Sequence, residues 1–332
     1  MPALCRPRVL FSPSRLLAIA FVLPLLCQFL APPAGAAAAP IALGAFIPGA
    51  PGDIAQIDNY RSRVGADPAI VMWYQDWAHG DDSRFSRNNL AAVNARGAMP
   101  LLTWEPWNYA DGVEQSAYSL KAIAAGAHDA YITQWASDAA EWGKPFYLRF
   151  AHEMNGNWYP WAGGVNGNTA ADYVAAWRHV VTIFRQQGAT NVRWVWCANV
   201  VYAGSTALSQ LYPGDAWVDW VALDGYNWGT SQEWSGWQSL ASVFVASHDE
   251  LARLTAKPMM LSEVSSAEAG GNKANWITQG FLTDMAKRLP RIRAIIWFNE
   301  NKETDWRITS SDAAANAFSK VAASAQFKGR LP

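Results

Sequence analysis

The sequence predicts an α/β protein, a single-domain (β/α)8 barrel. Short apolar segments alternate with longer amphipathic segments along the whole chain after residue 38. Several of the short segments are continuously hydrophobic, as in AIVMWY, VRWVWC and IRAIIWF, which is typical of strands covered on both faces in a parallel sheet. Eight such units in roughly 290 residues match the size and order of a closed barrel.

The elements follow one another in a regular strand-then-helix order. The predicted strands cover residues 41–47, 69–74, 99–104, 145–152, 192–198, 220–224, 258–262 and 292–298. The predicted helices include residues 88–96, 129–142, 170–187, 239–254, 274–289 and 312–323. An open doubly wound sheet would carry a glycine-rich phosphate turn after its first strand. The segment IPGAPGD at that place lacks the G-x-G-x-x-G spacing, which favours the barrel.

The first 38 residues differ in kind from the rest. Arg6, Arg8 and Arg15 precede an apolar run over residues 16–30, and the small-residue stretch APPAGAAAAP follows. This order is typical of a secretory signal peptide, and the run is shorter than the roughly 20 residues of a membrane-spanning helix. A lipoprotein site at Cys27 is the weaker interpretation. We expect residues 1–38 to be removed and residues 39–332 to form one secreted domain, periplasmic or extracellular and free of the membrane.

Composition restricts the partner. The chain has 26 Lys and Arg against 27 Asp and Glu, so its formal charge of −1 offers no field for nucleic acid or anionic lipid. The 19 tryptophans often stand beside polar residues. Flat apolar faces ringed by hydrogen-bonding groups suit sugar rings, which predicts a neutral polysaccharide as the partner. Cys197 is the one cysteine after the signal, so no disulfide framework is expected. We expect a monomer without cofactor or catalytic metal, and a structural cation bound by loop oxygens stays open.

Two predicted strands end in glutamate. The fourth runs into PFYLRFAHEMNGNWYPW, which contains Glu153, and the seventh into KPMMLSEVSS, which contains Glu263. Strands four and seven stand three apart in a ring of eight, so their ends face each other across the mouth, where reacting groups gather. Retaining glycoside hydrolysis needs a protonated and an ionised carboxyl about 5–5.5 Å apart. We predict that His152 orients Glu153 and that Tyr226 hydrogen-bonds Glu263.

Tryptophans at or just past strand ends are the candidate sugar contacts. They are Trp104, Trp107, Trp158, Trp161, Trp228 and Trp297.

The segments RFAHEMNGNWYPW, DGYNWG, LSEVSS and WFNENKETDW resemble glycoside hydrolase family 26, the family of many endo-β-1,4-mannanases. The resemblance runs from about residue 44 to residue 308. This family belongs to the clan in which the acid/base lies at the end of strand four and the nucleophile at the end of strand seven. The resemblance implies Glu153 as acid/base and Glu263 as nucleophile, with His152 beside the acid and Tyr226 bonded to the nucleophile. It also implies aromatic positions around the reacting sugar and polar ones supporting it, namely Trp104, Trp158, Trp297, Arg149 and Asp224.

The sequence departs from the mannanase pattern at places that bear on the substrate. The acid/base motif continues with WYPW, the nucleophile strand reads Glu263-Val264-Ser265, and Phe298 follows Trp297 where some mannanases carry an arginine. The WYPW form and the WFNENKETDW ending look more like members that cut mixed-linkage β-1,3-1,4-glucan or related β-glycans. We therefore expect a retaining endo-β-glycanase for β-1,3-1,4-glucan, with endo-β-1,4-mannanase on mannan or glucomannan as the alternative.

The sequence argues against three other classes of protein. A zinc helix needs two histidines four apart with Glu between them, and HEMNG supplies only one. A serine hydrolase needs a G-x-S-x-G elbow, which the sequence lacks. A noncatalytic carbohydrate-binding barrel would keep the aromatic cleft without turnover, but both glutamates are present.

Overall fold

Eight parallel strands form a closed barrel in the computed structural model, which describes residues 39–332. The strands are β1 Ala42–Phe46, β2 Ile70–Asp76, β3 Met99–Glu105, β4 Phe146–Phe150, β5 Val192–Asn199, β6 Trp220–Asn227, β7 Met259–Ser266 and β8 Ile292–Phe298. Each strand pairs with the next along the chain, and β8 pairs with β1. The predicted single-domain (β/α)8 barrel is confirmed. The predicted signal peptide, residues 1–38, lies outside the described residues.

Helices pack around the barrel. They are α1 Ala55–Val64, α2 Arg87–Ala95, α3 Leu120–Ala124, α4 Asp129–Trp142, α5 Ala170–Gln186, α6 Leu208–Leu211, α7 Leu240–Leu254, α8 Lys273–Gln279, α9 Met285–Arg288 and α10 Asp312–Ala323. The helix predicted over residues 274–289 is instead split by the π-helical turn Gly280–Asp284. Serine and threonine side chains cap first turns, as Thr169 does for α5 and Ser239 for α7. No helix within residues 39–332 is long and apolar enough to cross a membrane.

The core has two layers because side chains alternate along each strand. In β3, Leu101 belongs to the cluster that fills the barrel interior, whereas Leu102 and Trp104 belong to the larger cluster between strands and helices. Thr103 points inward again and accepts a hydrogen bond from Arg149 of β4. This alternation decides which residue at a strand end reaches the barrel mouth.

The pairing of β7 is irregular where its polar residues begin. Its register with β6 shifts between Leu223 and Asp224, and its register with β8 shifts between Leu261 and Val264. As a consequence the consecutive residues Ser262 and Glu263 both receive hydrogen bonds from Arg149 inside the barrel. A bulge of this kind re-aims a side chain. Here it directs Glu263 into the mouth.

Candidate active site

A cleft of about 1050 Å³ opens at the carboxyl ends of the strands. Every strand or the loop that follows it contributes to the lining, which combines aromatic and carboxyl side chains. The lining includes Phe46, Tyr74, Glu105, Trp107, Glu153, Trp158, Tyr159, Tyr202, Tyr226, Trp228, Trp234, Glu263, Phe298, Glu300 and Trp306. The volume lies at the upper end of the roughly 300–1,000 Å³ that encloses a drug-sized ligand. The cleft therefore has room for several rings.

Arg149 lies beneath the cleft and donates hydrogen bonds to side-chain oxygens of three other strands. Its side chain is fully buried, and its Nη1 donates to Asp224 Oδ2 at 2.6 Å while its Nη2 donates to Glu263 Oε1 at 2.6 Å. Its Nε donates to Thr103 Oγ1 at 2.8 Å. Asp224 also accepts from Ser262 Oγ at 2.7 Å. A planar guanidinium suits this fixed fork better than a lysine ammonium would. The prediction that Arg149 and Asp224 support the reacting sugar is wrong: both are fully buried outside the cleft lining, where Asp224 pairs with Arg149 and Arg149 holds Glu263.

Glu263 is held by three donors. Besides Arg149, the hydroxyl of Tyr74 donates to Oε1 at 2.6 Å, and the hydroxyl of Tyr226 donates to Oε2. All three donors stabilise the ionised carboxylate, because a negatively charged acceptor strengthens each hydrogen bond. The predicted contact between Tyr226 and Glu263 is present.

Glu153 has different surroundings. It follows β4 in a left-handed backbone conformation with φ of 53°, and its N–H donates to the carbonyl of Cys197 at 2.9 Å. Trp158 Nε1 donates to its Oε2 at 2.6 Å. Burial raises the pKa of Glu153 well above its usual range, and the nearby charges of Asp224 and Glu263 raise it further. The surroundings of Glu153 therefore favour its protonated form, whereas Glu263 accepts three hydrogen bonds.

His152 does not hydrogen-bond Glu153, which corrects the prediction that it orients the acid. Both ring nitrogens are buried without a partner among the described residues, and Nδ1 lies 4.0 Å from Glu105 Oε1. Burial and the positive charge of Arg149 lower the pKa of His152 well below its usual range. The ring packs on Tyr159 with 4.7 Å between centroids. His152 is therefore a neutral neighbour of the site.

Glu105 is a third buried carboxyl in the cleft, besides Glu153 and Glu263. Burial raises its pKa to about 8, and Trp107 Nε1 donates a long hydrogen bond of 3.4 Å to its Oε2. Within residues 39–332, the basic side chain nearest to the Glu105 carboxyl is that of His152.

A metal site is possible by distance alone. One ligand atom each from His152, Asp224 and Glu263 lies within 4.8 Å of the others. Both carboxylates, however, already pair with the guanidinium of Arg149. A cation at this place would be repelled by Arg149 and would have to break both ion pairs, so the donor set does not fit a metal.

Two of the predicted sugar-contacting tryptophans point away from the cleft. Trp104 is fully buried and donates through Nε1 to Tyr131 of α4 at 3.2 Å. Trp297 is equally buried and packs against Phe318 of α10 with 5.1 Å between centroids. Both predictions were wrong for one reason: along each strand these residues have outward parity, so their neighbours Glu105 and Phe298 occupy the mouth instead.

Trp161 is likewise buried outside the cleft lining, contrary to the prediction. Its Nε1 donates to the carbonyl of His152 at 2.6 Å, and its ring stacks on Tyr159 with 4.4 Å between centroids. It therefore supports Tyr159, which lines the cleft in its place. Trp158 and Trp228 do line the cleft, as predicted.

Several lining residues were missed by the sequence reasoning. Tyr74 and Phe298 close predicted strands, so the strand-end rule contained the signal for both, and alternation within β8 separates Phe298 from Trp297. Tyr159, Tyr202 and the aromatic residues of longer loops had no comparable signal, because the conformation of a loop is not periodic. Those loop residues are Trp234 and Trp306.

A buried glutamate with a raised pKa and a glutamate that accepts three hydrogen bonds share an aromatic cleft at the mouth of a (β/α)8 barrel. Buried carboxyl pairs with contrasting surroundings define sites of the glycosidase class.

Comparison with known proteins supports this classification. Residues 105–289 match the family described as Glycosyl hydrolase family 26. The chain is 42% identical over 280 residues to Endoglucanase H of Acetivibrio thermocellus, covering 83% of this chain and 30% of that protein. It is 28% identical over 229 residues to a Beta-1,3-xylanase of a Vibrio species, covering 64% of this chain and 43% of that protein. A GH26 beta-mannanase structure from Bacteroides ovatus has a TM-score of 0.60 at 21% identity, covering 86% of this chain and 87% of that chain.

The chain belongs to glycosyl hydrolase family 26. It spans less than half the length of these two curated relatives. The solved structure shares its fold.

Proposed function

We propose that this chain is a retaining endo-β-glycanase in which Glu263 is the nucleophile and Glu153 the acid/base. The observation that carries the assignment is the contrast between the two carboxyls. Three donors favour the anion of Glu263, whereas burial and neighbouring negative charge raise the pKa of Glu153. Such a difference between two carboxyls assigns their roles.

The reaction follows in two steps. In the first, the carboxylate of Glu263 forms a bond to the anomeric carbon, the glycosidic C–O bond breaks, and the proton of Glu153 passes to the leaving oxygen. In the second, Glu153 takes a proton from water as the water oxygen attacks the same carbon, and the ester bond to Glu263 breaks. The product keeps the anomeric configuration of the substrate, and both side chains return to their starting protonation states.

The proposed substrate is a mixed-linkage β-1,3-1,4-glucan. The 42% identity to a protein named as an endoglucanase supports a glucan, as do the departures from the mannanase pattern noted in the sequence. Aromatic side chains that alternate with carboxyls around the cleft suit uncharged rings with apolar faces and hydroxyl edges. Mannan or glucomannan is the alternative, and β-1,3-xylan is a third candidate because of the relative named as a β-1,3-xylanase.

The test compares parent, Glu263→Ala and Glu153→Gln on barley β-glucan, glucomannan, galactomannan, curdlan and β-1,3-xylan in parallel, measuring release of reducing ends. We expect fastest release from barley β-glucan and a loss of at least about a thousandfold in either variant. Glu141→Ala is the matched control, since that side chain is exposed in an ion pair with Arg87 and should keep the parent rate.

NMR of the first products should show retained anomeric configuration. Near-parent hydrolysis by Glu263→Ala, or inversion in the NMR experiment, would refute the mechanism. Faster release from galactomannan would instead reassign the substrate. Binding to a polysaccharide without release of reducing ends would identify a noncatalytic carbohydrate-binding barrel.

We further propose that residues 1–38 direct export and that residues 39–332 act as a monomer outside the cytoplasm. The order of arginines, apolar run and small residues supports the export part of this proposal. N-terminal sequencing of the protein recovered from an exporting host should find a start between residues 37 and 40.

A further inference from the structure

One tryptophan at the edge of the cleft is largely in water. Trp234, in the loop between β6 and α7, is 72% exposed, more than the other large apolar side chains of residues 39–332 that remain in solvent. It nevertheless belongs to the cleft lining. An indole so far out of the core contributes little by burial. Its position calls for a partner that the folded chain does not supply.

The loop that carries Trp234 is pinned in place. Ser235 N–H donates to the carbonyl of Gln232 at 3.2 Å, so Trp234 occupies a corner of a turn. Ser235 Oγ also donates to the carbonyl of Gly229 at 2.8 Å. Gly229 has φ of +55°, and a Cβ there would lie 1.8 Å from the carbonyl oxygen of Ala269. The base of the turn thus packs directly on the neighbouring loop, which holds the backbone that carries the indole at the rim of the cleft.

A series of rings leads from Glu263 out to Trp234. Tyr226 donates to Glu263, and its ring centroid lies 6.0 Å from that of Trp228. The Trp228 centroid lies in turn 5.2 Å from that of Trp234. Trp306 packs edge-on against Trp228 at 4.8 Å and keeps it in place. The cleft is therefore continuous from the carboxylate to the exposed indole.

We propose that Trp234 is a distal subsite, a platform for a pyranose ring of the same polysaccharide beyond the sugars next to Glu263. The proposal rests on the proposed function only for the identity of the occupant. A pyranose presents an apolar C–H face that matches an indole, and a tryptophan on a pinned turn offers that surface at low entropic cost. Trp234 binds a remote sugar and takes no part in bond cleavage, so its contribution depends on substrate length.

The kinetic test compares parent, Trp234→Ala and Trp234→Phe on barley β-glucan and on its trisaccharide. We expect Trp234→Ala to raise KM on the polymer about three- to tenfold with kcat unchanged, because removing a uniform binding contact affects KM alone. Trisaccharide kinetics should stay at the parent values, and Trp234→Phe should recover most of the loss. Tyr109→Ala is the matched control: its side chain is 64% exposed, stacks on His79 and lies outside the cleft lining, so it should match the parent.

A binding test separates this proposal from the proposed function. Affinity gel electrophoresis in barley β-glucan compares Glu263→Ala with the double variant Glu263→Ala/Trp234→Ala, and needs no turnover. Weaker retardation of the double variant supports the subsite even if the parent hydrolyses nothing. Equal retardation of the two, absence of retardation of Glu263→Ala, or equal losses on polymer and trisaccharide would overturn it.

Discussion

The hydrogen bond from Trp158 to Glu153 can be removed without removing the aromatic ring. In Trp158→Phe the six-membered ring stays at the cleft, but the Nε1–H that donates to Glu153 Oε2 at 2.6 Å is lost. That donor favours the ionised form of Glu153 and lowers its pKa, whereas burial and the charges of Asp224 and Glu263 raise it. Removing the donor therefore moves the pKa of Glu153 further up.

The size of the shift follows from the contact. A hydrogen bond to a charged group contributes about 1.5–3 kcal/mol, and one pKa unit corresponds to about 1.4 kcal/mol. Trp158 is 38% exposed, so water can replace part of the lost bond. We therefore expect a loss near the lower end of this energy range, which corresponds to an upward shift of about one unit in the pKa of Glu153.

The assay is the pH dependence of kcat/KM, whose basic limb reports the loss of the proton from the acid in the free enzyme. The limb should lie about one unit higher in Trp158→Phe than in the parent. In Trp228→Phe, which alters a cleft tryptophan without a bond to Glu153, the limb should stay in place even if KM rises. A basic limb that stays fixed or moves down in Trp158→Phe would refute the assignment of Glu153 as the acid.

Two further predictions concern neighbouring groups. Burial raises the pKa of Glu105 from 4.5 to about 8, so between these pH values the folded state keeps a proton that the unfolded chain releases. The contribution of Glu105 to the free energy of unfolding therefore falls as pH rises from about 4.5 to 8. Glu105→Gln should flatten this decline in melting temperature, and curves parallel to the parent would contradict it. Tyr226→Phe removes a hydroxyl that donates to Glu263 and should lower kcat/KM about ten- to a hundredfold. Tyr212→Phe, whose hydroxyl donates to the remote Asp215, should keep the parent value, and equal losses in both variants would count against a role for Tyr226.

The barrel could be predicted from the sequence because its cause is repetitive. Each unit must bury a strand on both faces, and this need produces the same apolar segment eight times over. Arg149 and Asp224 were indicated only by the family resemblance, and inward parity on β4 and β6 explains why their side chains and that of Tyr226 face the barrel interior. The same alternation along β3 and β8 turns Trp104 and Trp297 away from the cleft, contrary to the prediction.

Other features depend on local departures from regular structure. Glu263 reaches the cleft because β7 is irregular, and Glu153 does so through a backbone with positive φ. Neither departure follows from the periodicity of an apolar segment. Burial of Trp161 depends on the fold of its loop, and a hydrogen bond from Trp161 to the chain at His152 fixes that loop. Sequence reasoning located the two glutamates through their motifs and the ring geometry, while the tertiary structure determined how each is aimed.

The arrangement of charges around Arg149 accounts for the different surroundings of Glu153 and Glu263. One buried guanidinium faces three carboxyls, and it donates directly to Asp224 and Glu263 but not to Glu153. A buried carboxylate without a cationic partner costs more free energy than a protonated carboxyl, which favours the protonated form of Glu153 because Arg149 does not donate to it. Within this cluster, the position of a single arginine therefore supports the roles proposed above, with Glu153 as the proton donor and Glu263 as the attacking group.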